Sequence, residues 1–300
     1  MNLRDLTYLV AVADKRHFGK AAEACFVSQP ALSMQIKKLE ASLGVQLLER
    51  SNKSVLLTEI GSAIAERARE ILSQAEEIRE IAKSAQDPFS GKFTLGIFPT
   101  LAPYLLPHII PPLSALFPNI AFYLSEERTE VLIEKIKQGK IHAAILALPV
   151  TDVGLSSVPL FDEEFLLTVS HTHALAKKKS VQQSDFENED MLLLDDGHCM
   201  RNQVLNYCNE INITEAKKFR ATSLETLRHM VAAGAGVTLM PKLSSEGCDL
   251  ATFVPLSGPK LSRQIGMVWR NSSAKTILLQ ELEVQIKKIL TTKKNVSVII

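Results

Sequence analysis

The sequence predicts an α/β protein in two parts: a helical head with a small wing, carried on one long helix, and a two-lobed α/β body. Three observations carry this reading. Residues 17–40, HFGKAAEACFVSQPALSMQIKKLE, divide into a small-residue helix, a tight turn and a second helix with one apolar stripe. Residues 59–87 read as one uninterrupted amphipathic helix. From residue 92 onward strand-like and helix-like runs alternate, the order that predicts a parallel sheet with helices on both faces.

In the head, the small side chains of FGKAAEAC let a second helix approach closely. Ser28 is a good N-cap, and Pro30 falls in the first turn, where a missing N–H costs nothing. Leu32, Ile36, Leu39 and Leu43 follow at spacings of four, three and four and form the buried stripe. The remaining surface offers Ser28, Gln29, Pro30, Ser33, Met34, Gln35, Lys37 and Lys38. Short polar groups near a helix start suit base edges and lysines further along suit phosphates, although a solvated helix face would look the same. Downstream, LGVQLLERSNKSVLLTEIG places two short apolar stretches around the polar turn SNKS, a β-hairpin wing with Arg50 and Lys53 positioned for phosphates. The head is thus a winged helix-turn-helix.

In the long helix, Ile64, Ala68, Ile71, Ala75, Ile78 and Ala82 alternate spacings of four and three, the seam of a left-handed coiled coil. Alternating alanines make a weak zipper, so this dimerisation helix is expected to pair two subunits with help from elsewhere. The alternative is a helix lying on its own domain. DPFSG at 87–91 breaks the helix. The expected organisation is a DNA-binding domain over 1–58, a linker helix over 59–87 and a regulatory domain over 88–300. Within the last, lobe I covers about 92–161 and 266–300, and lobe II about 162–265.

Bulk properties fit this plan. The 300 residues are 46% hydrophobic and 22% charged, with 13 Gly and 13 Pro, an ordinary globular composition. Net charge is +1, distributed as +3 over residues 1–58 and −2 over the rest. The charged first twenty residues lack the apolar core of a signal peptide, and no apolar run approaches the roughly 18 residues of a membrane helix. A cytoplasmic, non-membrane location follows, where Cys25, Cys199, Cys208 and Cys248 are expected mostly as thiols. FGKAAEACFVSQPALSMQIKKLEASLGVQLLER, within residues 2–58, closely resembles the signature of LysR-type transcription regulators. That resemblance implies binding to double-stranded DNA, contact with RNA polymerase and assembly as a homo-oligomer, a dimer of dimers.

In the body, FTLGIF, PYLLPHIIPPLSALF, IAFYLS, TEVLIEKIKQG and IHAAILAL alternate as strand and helix, and a second unit runs through EFLLTVS, MLLLDD, the helix after Gly197 and SLETLRHMVAAGAGVTLMP. RQIGMVWR and TILLQELEVQIKKIL return to the first unit. Two lobes joined by crossing strands resemble periplasmic binding proteins, whose ligands lie between the lobes. Several motifs carry no chemistry. The histidines of HTH at 171–173 lack further ligands, so no metal is expected; KKK at 177–179 reads as a solvated loop; GAG at 234–236 lies between helix and strand, the reverse of a dinucleotide fingerprint. The absence of a Gly-x-Ser-x-Gly elbow and of a phosphate loop argues against a hydrolase or kinase. No cofactor is expected.

GHCMRNQVLNYC holds Cys199 and Cys208 nine positions apart on a predicted helix. Two buried thiols, a metal clip and a reactive pair all fit that spacing. In a helix the pair would stand roughly 13 to 14 Å apart on opposite faces, against about 5.5 to 6 Å for a disulfide. Any bond between them therefore requires the segment to unwind. A helix start, His198 and Arg201 favour a thiolate at Cys199, while Asp195 and Asp196 oppose it. GHCMRNQVLNYC, FPTLAPYLLPHIIP, KIHAAILAL and FRATSLETLRHMVAAGAGVTLMP resemble the hydrogen-peroxide-sensing members of the LysR-type family. The resemblance implies that Cys199 is the peroxidatic thiol and Cys208 the resolving one, with Thr100, Thr129 and His198 in the peroxide pocket. Read alone, both threonines are ordinary loop or helix-start residues. Two departures stand out: Asn202 replaces an expected aspartate, and PKLSSEGCDLATF is short and carries the extra Cys248. Cys25 reads as a small core residue.

The function expected is a peroxide-sensing transcription activator of antioxidant genes, switched by reversible Cys199–Cys208 disulfide formation. It would not be an enzyme beyond one stoichiometric thiol reaction with peroxide. The rivals are a LysR-type regulator binding a metabolite in its cleft and a thiol peroxidase.

Overall fold

The structure, a computed structural model, describes residues 1–50, 55–84, 87–196, 199–210, 215–258, 261–292 and 297–299. The chain forms two compact units, residues 1–86 and 87–300.

The first unit begins with α1 (Leu3–Lys15), capped by Asn2 and Asp5 reciprocally, and α2 (Phe18–Ala24), capped by His17. In α3 (Gln29–Leu43) the Ser28 hydroxyl accepts from the Ala31 amide at 3.4 Å, and Gly44 ends the helix at φ 69°. Leu32, Ile36 and Leu39 are buried with Leu9, Val12 and Ala21, so the stripe spaced four and three is the face that α3 commits to the core. β1 (Leu48–Arg50) and β2 (Val55–Leu57) pair antiparallel, Leu48 opposite Leu57, as the wing; the turn between them lies outside the described residues.

The long helix, α4 (Glu59–Ser84), divides its apolar seam between two uses. Ala65 and Ala68 are buried and Ile64 packs on the head core, while Arg69 meets Asp14 of α1 at 2.7 Å. Further along, Ile71 and Ile78 stand 40% and 69% exposed. The start of the helix thus lies on its own domain, while further along Ile71 and Ile78 are exposed and Ala75 is half-buried.

The second unit is built on a sheet ordered β10-β6-β11-β5-β3-β4, with β9 and β12 also on β6. Its strands are β3 (Gly91–Ile97), β4 (Ile120–Glu126), β5 (Ala143–Ala147), β6 (Leu155–Val169), β9 (Thr238–Pro241), β10 (Thr252–Pro255), β11 (Ser262–Arg270) and β12 (Ser297–Val298). The expectation of a parallel sheet holds for β3 with β4 and with β5. It fails for β11, which runs antiparallel to both β5 and β6. The reason is topological: β6 carries the chain out of lobe I and β11 carries it back, so neighbouring crossing strands must run in opposite directions.

Lobe I packs α5 (Ala102–Leu116), α6 (Thr129–Lys137) and α9 (Thr276–Thr291) on this sheet through Leu105, Ile109, Leu132, Ile136, Leu279 and Leu282. Lobe II adds β7 (Met191–Leu194) parallel to β8 (Glu215–Ala221), with α7 (Cys199–Glu210) and α8 (Leu224–Ala232), around Phe165, Leu167, Leu193, Leu227 and Leu239.

Gly61 supports the join between wing and α4, since a Cβ there would lie 2.0 Å from the Leu47 carbonyl oxygen. Gly61→Ala is expected to destabilise the head by about 2 kcal/mol or more. Gly44→Ala, with open space but a left-handed backbone, should cost about 1 kcal/mol. Chemical denaturation of the two variants checks the order; an equal or reversed ranking would mean that the head relaxes around Gly61.

Candidate functional site

Cys199 is the first residue of α7, and Cys208 lies near its far end on the same continuous helix. The Cys199 thiol is free and half-buried, and it packs against the core of lobe I. Met200, Val204 and Tyr207 of the same helix are buried in the core of lobe II. α7 is therefore shared: its first residue rests on one lobe and its apolar face on the other.

Beside Cys199 lies a cleft of about 390 Å³, lined by Thr129 and Ile133 of α6, Leu148, and Asn202 and Gln203 of α7. The Thr129 hydroxyl and the Gln203 side-chain oxygen are buried there with no hydrogen-bond partner. Leaving such atoms unsatisfied costs roughly 1–3 kcal/mol each, which a small hydroxylic molecule would relieve by bonding to both. Thr129 also opens α6, whose amino-terminal dipole favours negative charge arriving beside it. Thiol, donor, acceptor and helix start thus surround one small space.

Thr100 is placed differently. It is buried in the turn after β3, where its hydroxyl accepts from Arg263 at 3.1 Å and its carbonyl from the same guanidinium at 3.2 Å. Arg263 and Glu163 are both fully buried, paired at 2.7 Å, and the Leu243 amide donates to Glu163 at 3.1 Å. The rings of Phe98 and Phe165 flank the guanidinium at 5.1 and 5.5 Å. This network ties a lobe I loop to both crossing strands and to the turn after β9. A second tie joins α5 to α8: the Tyr104 hydroxyl donates to Glu225 at 2.6 Å and accepts from Arg228 at 3.0 Å. Burial, then the Glu225 hydrogen bond, push the Tyr104 hydroxyl well above its ordinary pKa, so it remains a donor.

The other expected residues fall as follows. Arg201, expected to favour a Cys199 thiolate, is buried with its guanidinium on Asp196 at 3.0 Å and on the Leu194 carbonyl, so its charge is shared with an acid. His198 and Lys53 lie outside the described residues, as do the side chains of Cys208 and Arg50. His171 spans Thr252 and the Asp249 carbonyl, and His173 caps a short 3-10 turn, which gives the HTH histidines structural work. On the head, Ser28, Gln29, Pro30 and Lys37 are exposed, while Ser33 and Gln35 are half-buried. Gln203 and Arg263 escaped the sequence reading. Gln203 follows Cys199 by one helical turn and so shares its face, a signal that was available; Arg263 inside an apolar strand was the other.

Comparison with known proteins bears on both units. Residues 3–62 match the model of bacterial regulatory helix-turn-helix proteins of the lysR family, and residues 86–287 match the LysR substrate binding domain. The chain belongs to the LysR family. Within it, the chain is 45% identical over 276 residues to the Escherichia coli DNA-binding transcriptional dual regulator OxyR, covering 91% of this chain and 90% of that one. A full-length OxyR mutant structure from Pseudomonas aeruginosa is 36% identical, with a TM-score of 0.79 over 96% and 95% of the two chains. A hydrogen peroxide-bound OxyR mutant from Corynebacterium glutamicum is 32% identical, with a TM-score of 0.66 over 97% and 93%. As in a LysR protein, the head is a helix-turn-helix unit, and among the described residues no helix is long and apolar enough to cross a membrane.

In this LysR body, removing one partner of a fully buried ion pair strands the other. Arg263→Met is expected to cost about 3–5 kcal/mol in urea denaturation and to release the Thr100 turn. A loss under about 1 kcal/mol would show that Glu163 is satisfied without it.

Proposed function

We propose that the chain is a peroxide-sensing transcription activator in which Cys199 reacts with hydrogen peroxide and Cys208 resolves the product. The observation that carries this reading is the Cys199 cleft, where the Thr129 hydroxyl and the Gln203 oxygen are buried and unpaired. The likeness to proteins named hydrogen peroxide-inducible genes activators supports the same trigger. His198 and Thr100 are proposed to complete the pocket, Thr100 under the hold of Arg263.

The chemistry balances as two displacements. The Cys199 thiolate attacks one peroxide oxygen, forming S–O and breaking O–O; the departing hydroxide takes a proton and leaves as water. The Cys208 thiolate then attacks the sulfenic sulfur, forming S–S and releasing a second water, so two thiols lose the two electrons that peroxide gains. Thr129 donates to the departing oxygen at the start of α6, and Gln203 accepts from the hydroxyl hydrogen that remains.

The disulfide requires α7 to unwind, because a helix holds the two Cα atoms about 13.5 Å apart. Unwinding withdraws Met200, Val204 and Tyr207 from lobe II, each of which contributes about 1.5–3 kcal/mol when buried. Thiol oxidation drives this change, and a potential difference of about 30 mV supplies roughly 1.4 kcal/mol. Rearranged lobes would shift subunits paired through Ile71, Ala75 and Ile78 of α4, and so alter how two heads meet double-stranded DNA. Assembly as a dimer of dimers, contact with RNA polymerase and cytoplasmic location belong to the same proposal. So do base contacts by Ser28, Gln29, Pro30, Ser33 and Gln35 and phosphate contacts by Lys37, Arg50 and Lys53.

Titration of the reduced protein with peroxide, read by disulfide mapping and DNA footprinting, tests the reading. Wild type should form Cys199–Cys208 at one equivalent with a changed footprint, and Cys199→Ser should do neither; a footprint change that survives Cys199→Ser would sink the proposal. Rapid multiple turnover with a reductant would instead indicate a peroxidase.

Thr129→Val and Gln203→Leu remove the orphaned polar atoms. Each is expected to slow Cys199 oxidation by about tenfold or more while leaving stability unchanged or raised, since a buried unsatisfied group is lost. Stopped-flow oxidation and thermal melts measure both, and an unchanged rate would remove these groups from the reaction. Gln29→Ala and Ser33→Ala should weaken specific DNA binding more than nonspecific binding; equal losses would contradict base reading.

A further inference from the structure

Phe26 occupies the turn between α2 and α3 in two unfavourable ways at once. Its φ is 54°, left-handed backbone that a residue with a Cβ rarely adopts. Its side chain is 96% exposed, so the ring gains nothing from the head core. The turn itself fixes this placement: the Phe26 amide donates to Glu23 at 3.1 Å and the Val27 amide to Ala22 at 3.0 Å. Glycine or asparagine would suit that backbone better, and a polar residue would suit that exposure better. Nothing in the fold of the head calls for an aromatic ring here.

Position supplies a use. In a LysR helix-turn-helix, the second helix enters the major groove by its amino-terminal end. Phe26 stands two residues before the Ser28 cap of α3, at the amino-terminal end of the helix that would enter the groove. A second large apolar side chain, Met34, is 52% exposed one turn along the same helix from Pro30. Thymine is the base that presents an apolar group in the major groove, its C5 methyl, and phenylalanine is among the side chains that contact it.

We propose that Phe26 is a specificity-determining DNA contact that packs on the C5 methyl of a thymine beside the bases met by the start of α3. The inference rests on the DNA-binding function of the head and adds to it a base preference that polar contacts do not supply.

The experiment uses the full-length chain and a duplex recovered by selection from random-sequence DNA. Each thymine of the selected site is replaced in turn by deoxyuridine, which removes only the methyl. Wild-type protein should lose about fourfold in affinity per half-site at one such position, the effect of one buried methyl. Phe26→Asn should bind the unmodified site about fourfold more weakly per half-site and be indifferent to that deoxyuridine, with nonspecific affinity retained. Because asparagine suits the backbone, its melting temperature should be equal to or above wild type, which separates a lost contact from a damaged turn. The proposal is overturned if every deoxyuridine costs the two proteins the same, if Phe26→Asn weakens specific and nonspecific binding equally, or if it changes the oligomer instead. Failure of the wild-type chain to select any site would overturn the DNA-binding function as well, and is distinguishable from those three results.

Discussion

A twelve-residue helix that is shared between two cores constrains everything else in the body. Cys199, at the start of α7, rests on lobe I, and Met200, Val204 and Tyr207 fill lobe II. Rigid helical geometry keeps the first and tenth residues about 13.5 Å apart. The segment can thus be packed as a helix or closed by a disulfide, never both. Under the proposed oxidation, such mutual exclusion would make a two-state element out of an ordinary amphipathic helix.

The body combines a firmly held frame with unmet bonding capacity beside Cys199. Stiffness comes from the buried Arg263–Glu163 pair, which grips the Thr100 turn and the Leu243 amide, and from Tyr104 bridging to Glu225 and Arg228. Openness comes from the Thr129 hydroxyl and the Gln203 oxygen, which no protein group satisfies. Among the described residues, Thr94 Oγ1, Thr129 Oγ1, Gln203 Oε1 and Arg228 Nε are buried without a hydrogen-bond partner, and two of these, on Thr129 and Gln203, belong to side chains lining the cleft beside a thiol, where a small polar molecule would find unmet bonding capacity.

Much of this was legible in the residues. The four-three spacing of Leu32, Ile36 and Leu39 selected the buried face of α3, and Ser28 marked its start, because both are local matters of helix period and capping. Strand direction was not legible: β11 is antiparallel because the chain crosses between lobes twice, a property of the whole path. The seam of α4 was readable as apolar, but whether Ala68 or Ile78 finds a partner depends on which surface lies opposite. Gln203 was marked by its place one turn after Cys199 on the same helix, but the burial of its side-chain oxygen without a partner was not legible, since the facing wall of the cleft includes Thr129 and Leu148, more than fifty residues away in sequence. The buried role of Arg263 likewise required Glu163, a hundred positions earlier. For Cys199 and Cys208, spacing alone excluded a bond within the helix, while the trigger came from resemblance.

The central claim is that oxidation and an intact α7 exclude each other. Hydrogen exchange of the full-length protein, before and after one equivalent of peroxide and with the Cys199–Cys208 bond verified by mass spectrometry, addresses it most directly. Amides of residues 203–208 should be protected in the reduced chain and lose that protection on oxidation, with α3 and α5 unchanged. A verified disulfide with α7 still protected would contradict the account.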